Sequence, residues 1–317
     1  MTKLPQPLRG IVPPLLTPFR SNREVDVAAL ETLINRMIDG GVHGIFALGT
    51  TGEGPQLPHR LRHQIVEYVC EMVAGRVPVL VCISDTCFEE AVELADQAHS
   101  AGAAGVVKTA PYYLPMDQAE LAEYTLRLTD RSPLPLLLYN MPSCTKVEFA
   151  PATVRQLGEH PKIVGLKDSS GDLEYFKAVV EACRDLEDFA LFVGPEEILV
   201  DSMRLGGHGG VHGGANLFPR LYVDLYEAAL NGNQQRVEQL QARVMQISQT
   251  LYSVGPQRPS RIIKGIKTAG HLLGICEPTM LEPFSEFNET ETAEVAQHLQ
   301  DLLPILKSDD VLTTEKM

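Results

Sequence analysis

Lys167 ends a short apolar run, and its type and position suggest covalent chemistry. Residues 163–166 have the character of a β-strand, and a polar segment able to cap a helix follows at residues 168–172. An amine at such a strand end can be poorly solvated. It then loses its proton more readily, and only the neutral amine attacks a carbonyl. We expect Lys167 to be a nucleophile, although an isolated lysine at a strand end more commonly just extends into solvent.

Small and hydroxyl residues follow the second apolar run, in Gly49-Thr50-Thr51-Gly52-Glu53-Gly54. Glycines let the backbone turn tightly and bring its N–H groups toward a ligand, and the two threonines add hydroxyl donors. This segment could hold a small carboxylate, but an ordinary glycine-rich turn accounts for it equally well.

Tyrosines mark two other strand ends. Tyr139 begins Tyr139-Asn140-Met141-Pro142, where a phenol could either relay a proton or pack at a rim, and Tyr113 follows the fourth apolar run. An amine, a carboxylate site and a phenol together could bind a 2-oxo acid and form an imine with its ketone. Because a protonated imine withdraws electrons, they could also catalyse carbon–carbon bond chemistry at the neighbouring carbon.

Short apolar strands alternate with amphipathic helical stretches along the chain. We predict strands at 11–16, 44–48, 77–83, 104–108, 134–139, 162–167, 189–193 and 209–211, and helices at 27–39, 58–73, 88–100, 117–129, 151–157, 172–183, 196–205 and 217–230. Eight such units predict an α/β fold, a (β/α)8 TIM barrel whose active site lies at the carboxyl ends of the strands.

Further helical patterns at 234–252, 259–273 and 290–303 predict a C-terminal helical appendage. We place the barrel with its active site at 1–230 and the packed helices at 231–317. Because no Ser- or Gly-rich linker separates the two parts, we expect one structural unit.

Composition excludes several classes of function. The net charge of −14 and the lack of a basic cluster argue against nucleic-acid binding. No apolar run reaches the roughly 18 residues that span a bilayer, and no hydrophobic signal core begins the chain, so we expect a cytoplasmic protein without a membrane partner. The six cysteines form no CxxC pair and indicate free thiols.

Neither a metal nor a bound cofactor is expected. His59 and His63 have helical spacing, but the glutamate of HExxH is missing. The glycine-rich segment 209–214 lacks the Lys-Ser/Thr ending of nucleotide loops. A phosphorylated substrate stays open, because some barrels bind phosphate near strands seven and eight.

The three motifs together resemble one enzyme family, the class I aldolases related to dihydrodipicolinate synthase and N-acetylneuraminate lyase. They are residues 49–53, residues 139–142 and Gly165-Leu166-Lys167-Asp168-Ser169-Ser170-Gly171-Asp172, and the resemblance extends from about residue 10 to about residue 303. It implies that Lys167 forms a Schiff base with pyruvate or a pyruvate-like substrate, and that Thr50 and Thr51 hold its carboxylate.

The resemblance also implies how protons move and how subunits assemble. Tyr139 would transfer protons and be linked, through the Thr51 hydroxyl, to Tyr113 from a neighbouring subunit. Family members typically are homotetramers built as pairs of tight dimers. Gly194 and Val211 match positions that line the pyruvate end of the pocket.

Departures from the family patterns bear on the substrate. Dihydrodipicolinate synthases carry an arginine at the position of Cys144, where it holds the distal carboxylate. A thiol cannot make those contacts, worth about 1.5–3 kcal/mol for each charged hydrogen bond. Glu196, Glu197 and Ser169 match residues with which neuraminate lyases bind a hydroxylated tail, whereas the lyase serine near strand eight corresponds to Gly213.

We therefore predict a Schiff-base lyase or aldolase that cleaves a 2-keto-3-deoxy sugar acid to pyruvate and an aldehyde. Dihydrodipicolinate synthase, N-acetylneuraminate lyase, a dehydratase and a 4-hydroxy-2-oxo acid aldolase are alternatives within the same family. An inactive barrel that only binds a small acid is the alternative outside enzymology, since fold alone does not fix activity.

Overall fold

Eight parallel strands form one sheet in the computed structural model, which describes residues 3–21 and 23–312. They are β1 (Gly10–Ile11), β2 (Ile45–Ala47), β3 (Val79–Cys82), β4 (Gly105–Thr109), β5 (Leu136–Asn140), β6 (Ile163–Asp168), β7 (Ala190–Val193) and β8 (Gly209–Gly210). The strands follow chain order, with β1 beside β8. Phe46 of β2 exchanges two 2.9 Å backbone hydrogen bonds with Pro13 and Leu15, which closes the sheet. The predicted barrel is confirmed.

Helices connect the strands and cover the outside of the sheet. They are α1 (Val27–Asp39), α2 (His59–Val73), α3 (Phe88–Ala101), α4 (Gln118–Arg131), α5 (Pro142–Thr145), α6 (Pro151–Gly158), α7 (Leu173–Cys183), α8 (Leu199–Leu205) and α9 (Pro219–Leu230). The short helix α5 was not predicted from the sequence. The helix predicted at 196–205 begins with a 3-10 turn, Glu196–Ile198, and is α-helical only from Leu199.

The first strand is shorter than the predicted segment 11–16. Pro13 and Pro14 lie in that segment, and a proline has no N–H to donate to a neighbouring strand. The chain therefore runs beside β2 through isolated contacts, with Pro14 bridging to Phe46, rather than as a continuous strand.

Apolar side chains fill the interior of the barrel and leave its carboxyl end for polar groups. The interior cluster consists of Leu8, Val12, Phe46, Leu80, Val107, Leu137, Tyr139, Val164, Ala190, Phe192 and Val211. A larger apolar cluster lies between the strands and the helices. A packed interior of this kind confines ligands to the rim formed by the strand ends and the loops after them.

Lys108 is a buried lysine that faces outward from the sheet. It lies on β4 with 1% of its surface exposed, and its Nζ donates to the Thr125 hydroxyl of α4 at 2.7 Å. Burial lowers the pKa of Lys108 well below its ordinary value. Because its amine packs against α4, Lys108 lies apart from the rim chemistry.

The C-terminal helices are α10 (Gln234–Thr250), α11 (Arg261–Leu272) and α12 (Glu289–Ser308). They correspond to the three predicted patterns, and α12 continues past Pro304, where the sequence suggested an end. Helix α10 packs on α9, and α11 packs on residues 213–216 near the end of β8. None of the helices within residues 3–21 and 23–312 combines the length and apolar character required to cross a membrane.

Candidate active site

Lys167 lies near the carboxyl end of β6 and points toward the barrel interior. It is 5% exposed, and its Nζ lies 3.9 Å from the centre of the Tyr139 ring and 5.1 Å from that of Phe46. Tyr139 is paired with Lys167 in the register between β5 and β6. The amine therefore lies in an aromatic, poorly solvated site beside a phenol, the surroundings expected for an imine-forming lysine.

The hydroxyl of Tyr139 contacts Thr50, not Thr51. Tyr139 is 3% exposed, and its hydroxyl oxygen lies 3.3 Å from Thr50 Oγ1. Thr51 turns instead toward the end of β8, since a Cβ built on Gly213 would lie 4.0 Å from Thr51 Oγ1. The predicted link through the Thr51 hydroxyl is therefore wrong, and the structure gives that contact to Thr50.

Residues 49–54, which we call the rim turn, are held by their own backbone. Gly52 N–H and Gly54 N–H donate to Gly49 O at 3.0 and 3.2 Å, and Glu53 N–H donates to Thr50 O at 3.1 Å. Within the described part of the chain, no group accepts from the N–H of Thr50 or Thr51. Two adjacent free N–H groups beside two hydroxyls form a site suited to a small carboxylate.

A cavity of about 260 Å3 opens beside Thr50 and Tyr139. Its walls include Cys82, Ser84, Thr109 and Met141 at the strand ends, Cys144, and the C-terminal residues Ile263 and Phe284. Cys144 lies on helix α5 and is exposed to this cavity. The predicted substrate residues Thr50 and Cys144 thus share one cavity with the phenol Tyr139.

Ser169 and Gly194 lie side by side just beyond β6 and β7. Gly194 N–H donates to Asp168 O at 2.7 Å, and a Cβ on Gly194 would come within 2.1 Å of Ser169 Oγ. Only glycine fits against that serine without a shift. Val211 follows β8 and belongs to the buried interior cluster. These three residues surround the Lys167 end of the barrel but are not part of the cavity wall.

Glu197 and its neighbour Glu196 do not reach the cavity. Glu196 is 4% exposed and accepts hydrogen bonds from Gly214 N–H at 3.1 Å and Tyr222 hydroxyl at 2.9 Å. Burial raises the pKa of Glu196 to about 7. Glu197 accepts from the Ser248 hydroxyl of α10. The structure thus places Glu197 outside the wall of that cavity, and its role in binding a substrate tail stays a prediction.

Sequence reasoning missed a buried network that fixes the ends of β5 and β6. Asn140 Nδ2 donates to Asp168 Oδ1 at 2.9 Å, and the Ser170 N–H and hydroxyl donate to the two oxygens of Asp168 at 3.0 and 2.8 Å. Asn140 directly follows Tyr139 and Asp168 directly follows Lys167 in the chain. This adjacency was the sequence signal that could have revealed the network. The network keeps Tyr139 and Lys167 on neighbouring strands in a fixed register.

Known proteins are similar to this chain over nearly all of its length. The sequence profile of the dihydrodipicolinate synthetase family matches residues 7–302. This chain belongs to that family. Members are class I Schiff-base lyases, and this chain is an enzyme of that class, a family aldolase/lyase.

Individual relatives cover nearly the whole chain. A 4-hydroxy-tetrahydrodipicolinate synthase from Phenylobacterium zucineum is 32% identical over 293 residues, which cover 92% of this chain and 97% of the relative. The structure of dihydrodipicolinate synthase from Bacteroides thetaiotaomicron is similar with a TM-score of 0.91 and 49% identity, covering 94% of this chain and 100% of that one. A prophage protein of the dihydrodipicolinic acid synthase family from E. coli K12, solved with pyruvate, gives a TM-score of 0.88 and 30% identity, covering 93% and 98%.

Proposed function

We propose that this family member forms an imine between Lys167 and a 2-oxo acid and cleaves a 2-keto-3-deoxy sugar acid to pyruvate and an aldehyde. The observation that carries the proposal is the placement of the Lys167 amine 3.9 Å from the ring of Tyr139, whose hydroxyl contacts Thr50. The relative solved with pyruvate supports a pyruvate-binding site on this fold.

The proposed reaction uses the amine first and the phenol second. The neutral Lys167 amine attacks the C2 ketone, and loss of water gives a protonated imine. The bond between C3 and C4 then breaks and its electrons move into the imine to form an enamine. The C4 hydroxyl gives its proton to the Tyr139 oxygen, while the phenol's own proton passes through the Thr50 hydroxyl to solvent. The aldehyde leaves, C3 takes up a proton, and hydrolysis of the imine releases pyruvate and restores Lys167.

The cavity supports an uncharged substrate tail. Cys144 lines the cavity, and the family resemblance implies that a synthase has at this position the arginine that binds a distal carboxylate. Among the described residues that line the cavity, Arg62 is the one cation, and its guanidinium already donates to Asp85 at 2.7 Å. A second carboxylate would find no uncompensated positive charge in this wall, whereas hydroxyls could be accommodated beside Ser84 and Thr109.

Synthesis of 4-hydroxy-tetrahydrodipicolinate from pyruvate and aspartate semialdehyde is the second candidate. It is favoured by the names of the curated relatives that match this chain. The imine chemistry at Lys167 would be the same, and the two functions differ in what the cavity must hold.

Wild-type enzyme should release pyruvate from 2-keto-3-deoxy sugar acids faster than it condenses pyruvate with aspartate semialdehyde. Replacing Cys144 with arginine should raise the kcat/KM of condensation by about tenfold or more, the effect of gaining a charge-assisted hydrogen bond. Steady-state rates on both substrates, with sialic acid and a 4-hydroxy-2-oxo acid included, measure this. Cys87→Arg is the matched control, because Cys87 is exposed and lies outside the cavity wall. Efficient condensation by the wild type would favour the synthase instead.

We also propose that Tyr113 completes the proton relay of a neighbouring subunit. Tyr113 is 85% exposed and the adjacent Leu114 72% exposed, on the loop between β4 and α4. An exposed phenol and leucine in sequence are typical of a surface that a partner covers. A second copy of this chain is the proposed partner, related by a two-fold axis.

Mixing Lys167→Ala chains with Tyr113→Phe chains should restore activity that neither variant has alone. In a mixed dimer, one site then holds an intact lysine and an intact tyrosine from its partner. Equal random mixing would give about a quarter of the wild-type sites. Mixing Lys167→Ala with Tyr139→Phe is the control and should restore none, because both residues serve the same subunit. Failure of the first mixture despite demonstrated subunit exchange would place Tyr113 outside the relay.

A further inference from the structure

A buried ion pair connects the rim turn to the C-terminal helices. Lys267 of α11 is 0% exposed and Glu53 of the rim turn 1% exposed. Lys267 Nζ donates to Glu53 Oε1 and, at 2.7 Å, to Thr279 O. The second oxygen of Glu53 accepts from Leu281 N–H at 2.8 Å. These contacts join the rim turn and α11 to each other and to residues 279 and 281, which follow α11 in the chain.

Stability alone gives little reason for this pair. Removing two charges from water costs several kcal/mol for each ion, and apolar replacements of buried ion pairs are often neutral or stabilising. Burial lowers the pKa of Lys267, and the charge of Glu53 opposes that change. A pair with such a cost is better explained by the geometry that it fixes.

The geometry fixed by Glu53 is that of the carboxylate site. Glu53 has a φ of 56°, in the left-handed region that a non-glycine residue rarely adopts. Its N–H donates to Thr50 O at 3.1 Å, and the preceding carbonyl, Gly52 O, accepts from the Thr17 hydroxyl at 2.7 Å. Holding the Glu53 side chain therefore holds the backbone that presents the N–H groups of Thr50 and Thr51.

We propose that Glu53 and Lys267 are positioning residues that fix the rim turn so that it can bind the substrate carboxylate. The inference rests on the proposed function, because it assigns the Thr50 and Thr51 N–H groups to that carboxylate. Helix α11 would then act on substrate binding indirectly, because neither Glu53 nor Lys267 contacts the substrate in this proposal.

The test compares trapping of pyruvate with trapping of pyruvamide, which has the same ketone but no charged carboxylate. Borohydride reduces the imine on Lys167, and intact mass measures the trapped fraction against ligand concentration. For Lys267→Met, the pyruvate concentration for half-maximal trapping should rise about tenfold or more, while the pyruvamide curve should stay where it is in the wild type. A general loss of structure would shift both curves.

Three further variants make the result specific. Lys267→Arg keeps the cation, so its pyruvate concentration for half-maximal trapping should lie between those of the wild type and Lys267→Met. Glu53→Gln removes the anion with little change of shape and should show the same pyruvate-selective shift. It takes the place of Lys267→Met in the test if that variant does not fold. Lys108→Met replaces a buried lysine that contacts α4 and not the rim turn, and should leave both curves unchanged.

The outcomes separate the two proposals. Normal trapping by the wild type, with equal or absent shifts for both ligands in folded variants, would overturn this inference alone. Absence of any wild-type adduct would overturn the proposed function and this inference with it.

Discussion

Lys167→Ala should abolish the pyruvate adduct that borohydride traps on the wild-type enzyme. Without the amine no imine can form, and turnover should fall on the order of 10⁶-fold, the loss typical of removing a covalent nucleophile. Intact mass should show one reduced pyruvyl group on the wild type and none on the variant. Peptide mapping should locate the group on the segment that contains Lys167.

Lys264→Ala provides the control for this experiment. Lys264 lies on α11 beside a polar cleft that includes Glu286, and it is not part of the cavity wall that holds Thr50 and Tyr139. Its replacement should leave the adduct and the turnover in place. An adduct that persists in Lys167→Ala, or that maps to Lys264, would show that the imine forms elsewhere.

Tyr139→Phe should lower kcat by about 10²–10⁴-fold, the usual contribution of a general acid–base group. The ring beside Lys167 Nζ remains, so the fold and the trapping of pyruvate should be retained, while the hydroxyl that contacts Thr50 is lost. Steady-state turnover and adduct yield, measured on the same preparation, separate the two steps.

Tyr175→Phe is a matched control, because the Tyr175 hydroxyl is also buried but donates to Phe149 O at 2.7 Å rather than contacting Thr50. Its turnover should stay near that of the wild type. Turnover of Tyr139→Phe near that of the wild type would mean that another group or water carries the proton.

The architecture was predictable because each βα unit carries its own signal. Short apolar strands and helices with one apolar face recur eight times, and this pattern needs no long-range information. The positions of Lys167 and Tyr139 at strand ends followed from the same pattern. The boundary of β1 did not, because Pro13 and Pro14 continue an apolar run yet cannot donate to a neighbouring strand.

Side-chain directions within turns were less predictable. Thr50 and Thr51 are adjacent in sequence, and only the backbone of the rim turn decides that Thr50 contacts Tyr139. The same limit applies to Glu196 and Glu197, which lie in a 3-10 turn and bond to α9 and α10 respectively rather than to the cavity. Periodicity describes faces of regular helices and strands, not of irregular turns.

The pairing of Glu53 with Lys267 had no local signal, since 214 residues separate them in the chain. It also bears on the order in which the enzyme is assembled during synthesis. All eight strands end by Gly210, whereas α11 leaves the ribosome later. Until α11 docks, the Glu53 carboxylate stays in water, because burying it without a partner is strongly unfavourable. If Glu53 and Lys267 position the rim turn as proposed, the newly made barrel acquires its carboxylate site only once α11 has docked.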